Sequence, residues 1–423
     1  MRDAFGALRF PALRAVWVSL LASAVGDWAA RLALAVLVLD RTHSASLSSL
    51  VVAVSFVPWI GPGQVLATRL GHLRRTSVMI GADLARAGVF ALLLVRLPIS
   101  ATLVLVFVGA LATPPFEAAR SALTVEAVPG DHYGSAITLL ELTEQSAVIL
   151  GYLLGGATVA AGGYRVALLV DVASFLVSAG ALSRIRGLGA TRQAQKVTTQ
   201  LRRAVAVING DLVMRRGFGA MLVVGLPAAA IEATAAAYSR LALHAGAGRT
   251  GLLAAAVPLG IVVTVPFLPR RGSATRLLRA ASVVAMIGGF GGAFAFAGGR
   301  LAGALIGYFA AGVLSASVTP AQIAFQPRIL PDDRPGVFSL LQGMLMSSQA
   351  AGAALGGVAI DAAGPRPAAI GWMGLVFVAA GLMLVTLRGG RFPGEERPER
   401  PPAANEERPP QGPPATAEGS ADG

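Results

Sequence analysis

The chain has 423 residues, of which 55% are hydrophobic and 13% charged, too little charge for a soluble domain, where roughly 25% is usual. The absence of cysteine excludes disulfides, thiolate metal sites and cysteine nucleophiles, and four histidines scattered along the chain do not suggest a metal cluster. A formal charge of +13 would fit a nucleic-acid surface, but the arginines fall in short breaks between apolar runs, a pattern that membrane topology explains better.

Arg2, Arg9 and Arg14 precede the first apolar run. Its Ala22-Ser23-Ala24 imitates a signal-peptidase site, but the run continues to Leu39, too long for a signal sequence, and it reads as an uncleaved span. About 20 apolar residues cross about 30 Å of hydrocarbon, and runs of this kind predict helices at 15–39, 46–66, 77–95, 101–119, 135–160 and 164–183. Six more are predicted at 217–239, 250–268, 278–298, 301–325, 337–360 and 368–387. The fold class is therefore an all-α membrane protein with twelve transmembrane helices, and the lipid bilayer is its obligatory partner.

Alternate loops carry 21 basic residues on one side against seven on the other. Cytoplasmic loops hold the excess of arginine, so both termini are expected inside. An arginine-, alanine- and glycine-rich composition suggests a GC-rich bacterial genome, and the expected location is a bacterial inner membrane. The longest break, Arg184 to Arg216, holds eight basic residues including Lys196, Arg202 and Arg203. It reads either as a solvated tether or as a linker whose helix, near Val197–Val213, lies on anionic headgroups. The expected segments are a cytoplasmic N-terminus (1–14), a six-helix bundle (15–183), the basic linker (184–216), a second bundle (217–388) and a Pro/Glu-rich tail (389–423). The tail lacks the apolar residues needed to offset ordering entropy and is expected to be disordered.

An internal repeat joins the two bundles. Gly151, Gly155, Gly156 and Arg165 recur as Gly352, Gly356, Gly357 and Arg366 at an offset of 201, and Pro129, Asp131 and Gly134 recur as Pro331, Asp333 and Gly336 at 202. The paired glycines place small residues one helical turn apart, which lets a neighbouring backbone approach closely. Two pseudo-symmetric six-helix bundles would hold a substrate site near the bilayer midplane.

Charges inside spans are costly and call for partners or a function. Asp27 lies about 18 Å along the first helix, near the midplane, with Arg31 one turn beyond on the same face. The two either neutralise each other or leave Asp27 as a protonatable or substrate-contacting group. Glu232, the repeat counterpart of Arg31, is either a cavity acid, conceivably paired with Arg31 across the bundles, or a residue snorkelling to the outer surface. Glu141 and Glu144 are candidate proton-handling groups. Asp83 with Arg86 and Glu117 with Arg120 read as interhelical ion pairs. Gln145, Gln342 and Gln349 are candidates for hydrogen-bonding substrate, or amides that bridge helices. Pro58, Pro62, Pro114, Pro258 and Pro320 are expected to bend their spans.

The segment Gly61-Pro62-Gly63-Gln64-Val65-Leu66-Ala67-Thr68-Arg69-Leu70-Gly71-His72-Leu73-Arg74-Arg75 resembles the signature loop of the major facilitator family, approximately G-x-L-A-D-R-x-G-R-R-x. The resemblance implies a gating role for Gly61, Gly63, Thr68, Arg69, Gly71, Arg74 and Arg75, although Thr68 stands where the family usually has aspartate. Phe116-Glu117-Ala118-Ala119-Arg120-Ser121-Ala122-Leu123, Val128-Pro129, Leu140-Glu141-Leu142-Thr143-Glu144-Gln145, Gly26-Asp27 and Asp83-Leu84-Ala85-Arg86-Ala87 look like the branch that contains enterobactin exporters and macrolide-efflux proteins. That branch usually has Gly-Pro in the fifth helix, where this chain has Gly151-Tyr152. The resemblance, over roughly residues 10–385, implies proton-coupled export of a small molecule without a cofactor. Uptake, facilitated diffusion and a non-transporting scaffold or sensor remain alternatives. No P-loop, zinc-protease motif or nucleophile elbow occurs in the sequence, so no enzyme is expected. The oligomeric state is unread and a monomer suffices.

Overall fold

The computed structural model describes residues 6–185, 197–330 and 333–388; Lys196, most of the preceding linker and the tail beyond Arg388 lie outside the described residues. Among them the chain is helical throughout, without strands. Helix α1 (Pro11–Thr42) begins on a proline, whose missing N–H costs nothing at that position. It ends where His43 adopts a left-handed φ of 55° and donates its N–H to Leu39. Helix α2 (Ala45–Phe56) is capped by the Ser44 hydroxyl, which accepts from the Leu47 N–H.

Prolines break three of the predicted helices. After α2, Pro58 falls in a 3₁₀ turn, and the chain resumes as α3 (Pro62–Leu70) at a 48° bend. The segment predicted as a gating loop is thus largely helix, and only Gly61 and Gly71–Arg74 lie outside it. The fourth predicted helix divides into α5 (Ile99–Ala110) and α6 (Thr113–Ala127), the latter opening on Pro114 and Pro115. The tenth divides into α13 (Leu301–Ala316) and α14 (Val318–Phe325), with Pro320 in the first turn of α14. Pro258 instead sits inside an unbroken α11 (Ala247–Thr264).

The other elements are α4 (Arg75–Leu92), α7 (Gly130–Gly162), α8 (Tyr164–Leu182), α9 (Val197–Gly210), α10 (Leu212–Ala233), α12 (Ala274–Ala297), α15 (Arg334–Ala363) and α16 (Pro365–Arg388). Ten helices are long and apolar enough to cross a bilayer, eleven with the bent pair; α4 has the length, at 18 residues, but carries Arg75, Asp83 and Arg86. The protein is a multi-pass membrane protein. Asp211 caps α10, accepting from the N–H groups of Val213 and Met214 and from Arg328. Burial alone would raise its carboxyl, but the Met214 N–H, the Arg328 guanidinium and the Val213 N–H outweigh it and hold the group below the ordinary range.

Helices α1 to α8 pack chiefly among themselves, as do α10 to α16, and the halves meet along α7 with α11 and along α2 with α15. The repeated glycines make both kinds of contact. A Cβ on Gly155 would fall 2.8 Å from the Ala29 carbonyl of α1, and one on Gly356 would fall 2.8 Å from the Ala230 carbonyl of α10. Ala29 and Ala230 are themselves 201 residues apart. Their neighbours face the other half: a Cβ on Gly156 would lie 2.8 Å from the Ala247 carbonyl, and one on Gly357 2.6 Å from that of Ala45. The linker helix α9, expected on headgroups or in solvent, buries Ala204 and Ile208 against Val213, Met214 and Phe218 of the second half, and its Arg203 pairs with Asp333 at 2.5 Å.

Gly155→Leu and Gly356→Leu should each destabilise the detergent-solubilised protein by about 1–3 kcal/mol, the usual cost of overpacking. Gly180→Leu, where an added Cβ meets nothing within 4 Å, should not. Thermal unfolding of the three variants provides the measurement.

Candidate functional site

The termini of the spans define two ends of the molecule. The near end holds Arg9, the α3–α4 turn and α9; the far end holds the α1–α2, α7–α8 and α15–α16 turns. At the far end Arg240 reaches Asp40 of the other half at 3.0 Å. Asp361, at the end of α15, caps α2 across the halves. Its carboxylate accepts from the N–H groups of Ala45 (2.8 Å) and Ser46 (3.0 Å) and from the hydroxyls of Ser44 (3.0 Å) and Ser46 (2.6 Å). A carboxylate at a helix N-terminus satisfies orphan N–H groups and meets the positive end of the helix dipole. The near-end ion pairs Arg75–Glu126, Arg120–Glu144, Arg328–Asp211 and Arg203–Asp333 each stay within one half or its docked linker.

Between the ends, Tyr152 of α7 donates its hydroxyl to Glu232 of α10 at 2.6 Å. The ring of Tyr152, 5% exposed, stands edge-on to Trp28 of α1 at 5.1 Å, and the Arg31 guanidinium lies 4.6 Å from Trp28 and 5.5 Å from Phe56. Glu232 is therefore a half-buried acid in the seam between the halves, not a snorkelling residue. Its partner is Tyr152 rather than Arg31, which makes no ion pair among the described residues and is held by the faces of two aromatic rings, as guanidinium groups commonly are.

The second polar cluster lies inside the first half. Arg86 of α4 bonds Asp83 at 2.6 Å and Asp27 of α1 at 3.1 Å, with Arg86 3% exposed and Asp83 wholly buried. Its guanidinium is sandwiched between Phe116 of α6 at 4.8 Å and Phe175 of α8 at 4.4 Å. Asp83 also accepts from Ser178 of α8 at 2.5 Å, and Ser178 meets Ser19 of α1 at 2.6 Å. Asp27 is thus neutralised from another helix and not by Arg31, the residue on its own helix face. Sequence reasoning passed over Asp171 of α8, 0% exposed, whose carboxyl oxygen Oδ1 would lie 2.6 Å from a Cβ on Gly26. The signal was available: a single acid in a 19-residue span of high hydropathy.

Near the other end, Arg120 bonds Glu117 at 2.5 Å and reaches Glu144 of α7 at 3.4 Å. The pairs Asp83–Arg86 and Glu117–Arg120, expected between helices, are each one turn apart on a single helix, and it is the arginine that extends to a second helix. Glu141 and Glu144 are exposed. Gln145, Gln342 and Gln349 form no hydrogen bond among the described residues. In the expected gating segment, the Thr68 hydroxyl bonds back to the Gln64 carbonyl at 2.9 Å, and Arg75 ties α4 to α6 through the Ala122 carbonyl at 3.0 Å and through Glu126. Gly63 packs its backbone against Pro58 and Pro114, while Gly61, Arg69, Gly71 and Arg74 are surface or half-buried positions. A cavity of about 310 Å³, lined by Arg216, Val224, Ala285, Ser317 and Met383, lies within the second half, apart from Tyr152 and Glu232.

The sequence matches no family model and no curated protein. Solved structures do match. One, described by substrate recognition in proton dependent oligopeptide transporters, is 15% identical over 89% of this chain and 96% of the other, with a TM-score of 0.62. A peptide transporter POT is 12% identical over 89% and 94%, at 0.70. A nucleoside transporter, NupG, is 14% identical over 89% and 99%, at 0.64. The chain shares the fold of these transporters. At these identities the likeness carries the architecture and nothing finer, so the enterobactin-exporter and macrolide-efflux branch rests on the sequence motifs alone.

The far-end cap is open to a direct check, because the chain has no native cysteine. A cysteine in place of Ser49, 1% exposed against Gly357, can react with a thiol reagent only when α2 and α15 part. Asp361→Ala removes hydrogen bonds at a water-exposed helix end, worth about 1 kcal/mol together after solvent screening. The labelling rate of the buried cysteine is expected to rise about fivefold.

Proposed function

We propose that the chain is a secondary transporter that moves a small molecule by alternating access, exporting it in exchange for protons. One-ended closure carries this reading. Among the described residues the polar bonds that join the halves, Asp40–Arg240, the Asp361 cap and Tyr152–Glu232, lie at the far end and in the seam, whereas the near-end pairs Arg120–Glu144 and Arg328–Asp211 each stay within one half. Two bundles fastened at one end and separable at the other can rock about a midplane site. With the arginine-rich near end in the cytoplasm of a bacterial inner membrane, this conformation faces inward. Glu232 is the acid at the seam, Tyr152 sets its orientation, and Arg31 and Trp28 complete a partly polar wall suited to amphipathic or lipophilic compounds. One structural neighbour is a proton dependent transporter, which supports proton coupling here.

Uptake is the second reading. Tyr152 replaces the proline of the antiporter pattern, and the neighbours include a peptide and a nucleoside transporter, neither of them named as an exporter. Direction separates the two. Inside-out vesicles with an acidic interior should accumulate lipophilic amines or dyes if the protein exports, and right-side-out vesicles in acidic medium should accumulate compound if it takes up. Glu232→Gln is expected to slow the proton-driven rate at least tenfold, with Tyr152→Phe intermediate. Accumulation that survives collapse of the proton gradient would remove proton coupling, and silence across a broad compound panel would remove transport.

A further inference from the structure

We propose that Asp171 is a proton-binding site of the first half, occupied in this far-end-closed conformation, and that its deprotonation draws Arg86 away from Asp27. The proposal deepens the proton-coupled reading and rests on it for its purpose, although the protonation itself can be measured without transport.

Charged groups face Asp171 from two neighbouring helices. From α1 come Asp27 and Arg31, and from α4 come Asp83 and Arg86; α7 carries no charged residue between Gln145 and Gly162, and its Tyr152 is engaged by Glu232. Arg31 is spent on the rings of Trp28 and Phe56. A single guanidinium therefore serves three buried or half-buried carboxyls, and its bonds already run to Asp83 and Asp27. Asp83 has Ser178 in addition, at 2.5 Å. Asp171 has only Ser174, whose hydroxyl is given chiefly to the Asp171 carbonyl at 2.7 Å and stands 3.4 Å from Oδ1. Its Oδ2 is buried without any partner.

An ionised carboxylate cannot be held in such a place. Removing it from water without a cation or strong donors costs far more than taking up a proton at neutral pH. As the neutral acid, Asp171 leaves Arg86 to balance the other two. Ionisation breaks the O–H bond heterolytically, passes the proton to water and leaves the electron pair on the carboxylate, which then needs a cation. Arg86 is the nearest candidate: it packs against Phe175, one turn from Asp171 on α8, and its Nε is buried and unbonded. If Arg86 turns to α8, Asp27 loses its partner. Asp27 is the immediate neighbour of Trp28 on α1, the residue against which Tyr152 is packed. A proton at Asp171 is thus read at the seam through α1.

The test uses the full-length purified protein and infrared spectroscopy. At neutral pH the wild-type minus Asp171→Asn difference spectrum should contain the C=O stretch of a protonated carboxylic acid, and that component should vanish as the wild type is made alkaline. Asp171→Glu, which keeps the carboxyl, should move the component rather than remove it, and it serves as well should the Asn variant fold poorly. In inside-out vesicles Asp171→Asn should lose gradient-driven accumulation at least tenfold while retaining exchange of compound down its own gradient. Absence of the infrared component, or full gradient-driven accumulation by Asp171→Asn, overturns the assignment. Should neither protein transport anything, the transporter reading fails and the infrared component alone decides the proton site.

Discussion

Close approach of helix backbones is the constraint on which this structure depends. In lipid the outside of a helix bundle is as apolar as its inside, so burial of apolar side chains does not drive helices together; packing and polar bonds must do so. Helices α7 and α15 are each wedged between a helix of their own half and one of the other, and successive glycines face the two neighbours in turn. Glycine is required at both faces because backbone carbonyls lie 2.6–2.8 Å from an added Cβ, those of Ala29 and Ala230 within the halves and those of Ala247 and Ala45 across them, and these cannot swing away as the end of a long side chain can. The same small residues that hold α1 to α7 and α10 to α15 therefore also set how near the halves come.

That approach makes the polar seam worth its desolvation. Tyr152 meets Glu232 only because Gly156 on α7 and Gly251 on α11 let the halves close beside them; a Cβ on Gly251 would fall 2.4 Å from the Tyr152 carbonyl. The Asp361 cap similarly sits next to the Gly357 contact with Ala45 and Ser46. The Tyr152–Glu232 bond and the Asp361 cap are thus each adjacent to a glycine contact. Were the far end to open, the two kinds of interaction would have to break together, which favours two discrete arrangements over a continuum.

Sequence legibility followed the range of the interaction. Membrane-crossing length, loop charge and the glycine repeat are properties of single segments, and they yielded the fold class and the packing helices. The repeat carried more than expected, since Gly155 with Ala29 and Gly356 with Ala230 are equivalent contacts. Ion pairing was less legible because it depends on how each helix is rotated. Helical spacing placed Arg31 beside Asp27, but the rotation of α4 against α1 brings Arg86 there instead. Prolines signalled bends, yet whether a bend becomes a break, as after α2, or is absorbed, as at Pro258 in α11, depends on what the neighbours can satisfy. Tyr152 was visible only as a departure from a family pattern. Its role needed the opposite half in place.

Helix α1 gathers these strands. On one face Asp27 bonds Arg86 and Gly26 lies against Asp171; on the next residue Trp28 carries Tyr152, with Arg31 stacked on it. Gly151 and Gly155 fix α7 against the same turns, within contact distance of Trp28 and Ala29. Any change of charge in the buried cluster that moves α1 by even a fraction of an ångström must be accommodated at a glycine contact with no slack, because a packed interface shifts as a unit rather than deforming locally. Glu232 is bonded to a tyrosine seated on that turn. The fold therefore gives the carboxyl cluster and the seam a common rigid element, which is the physical condition for one to bias the other.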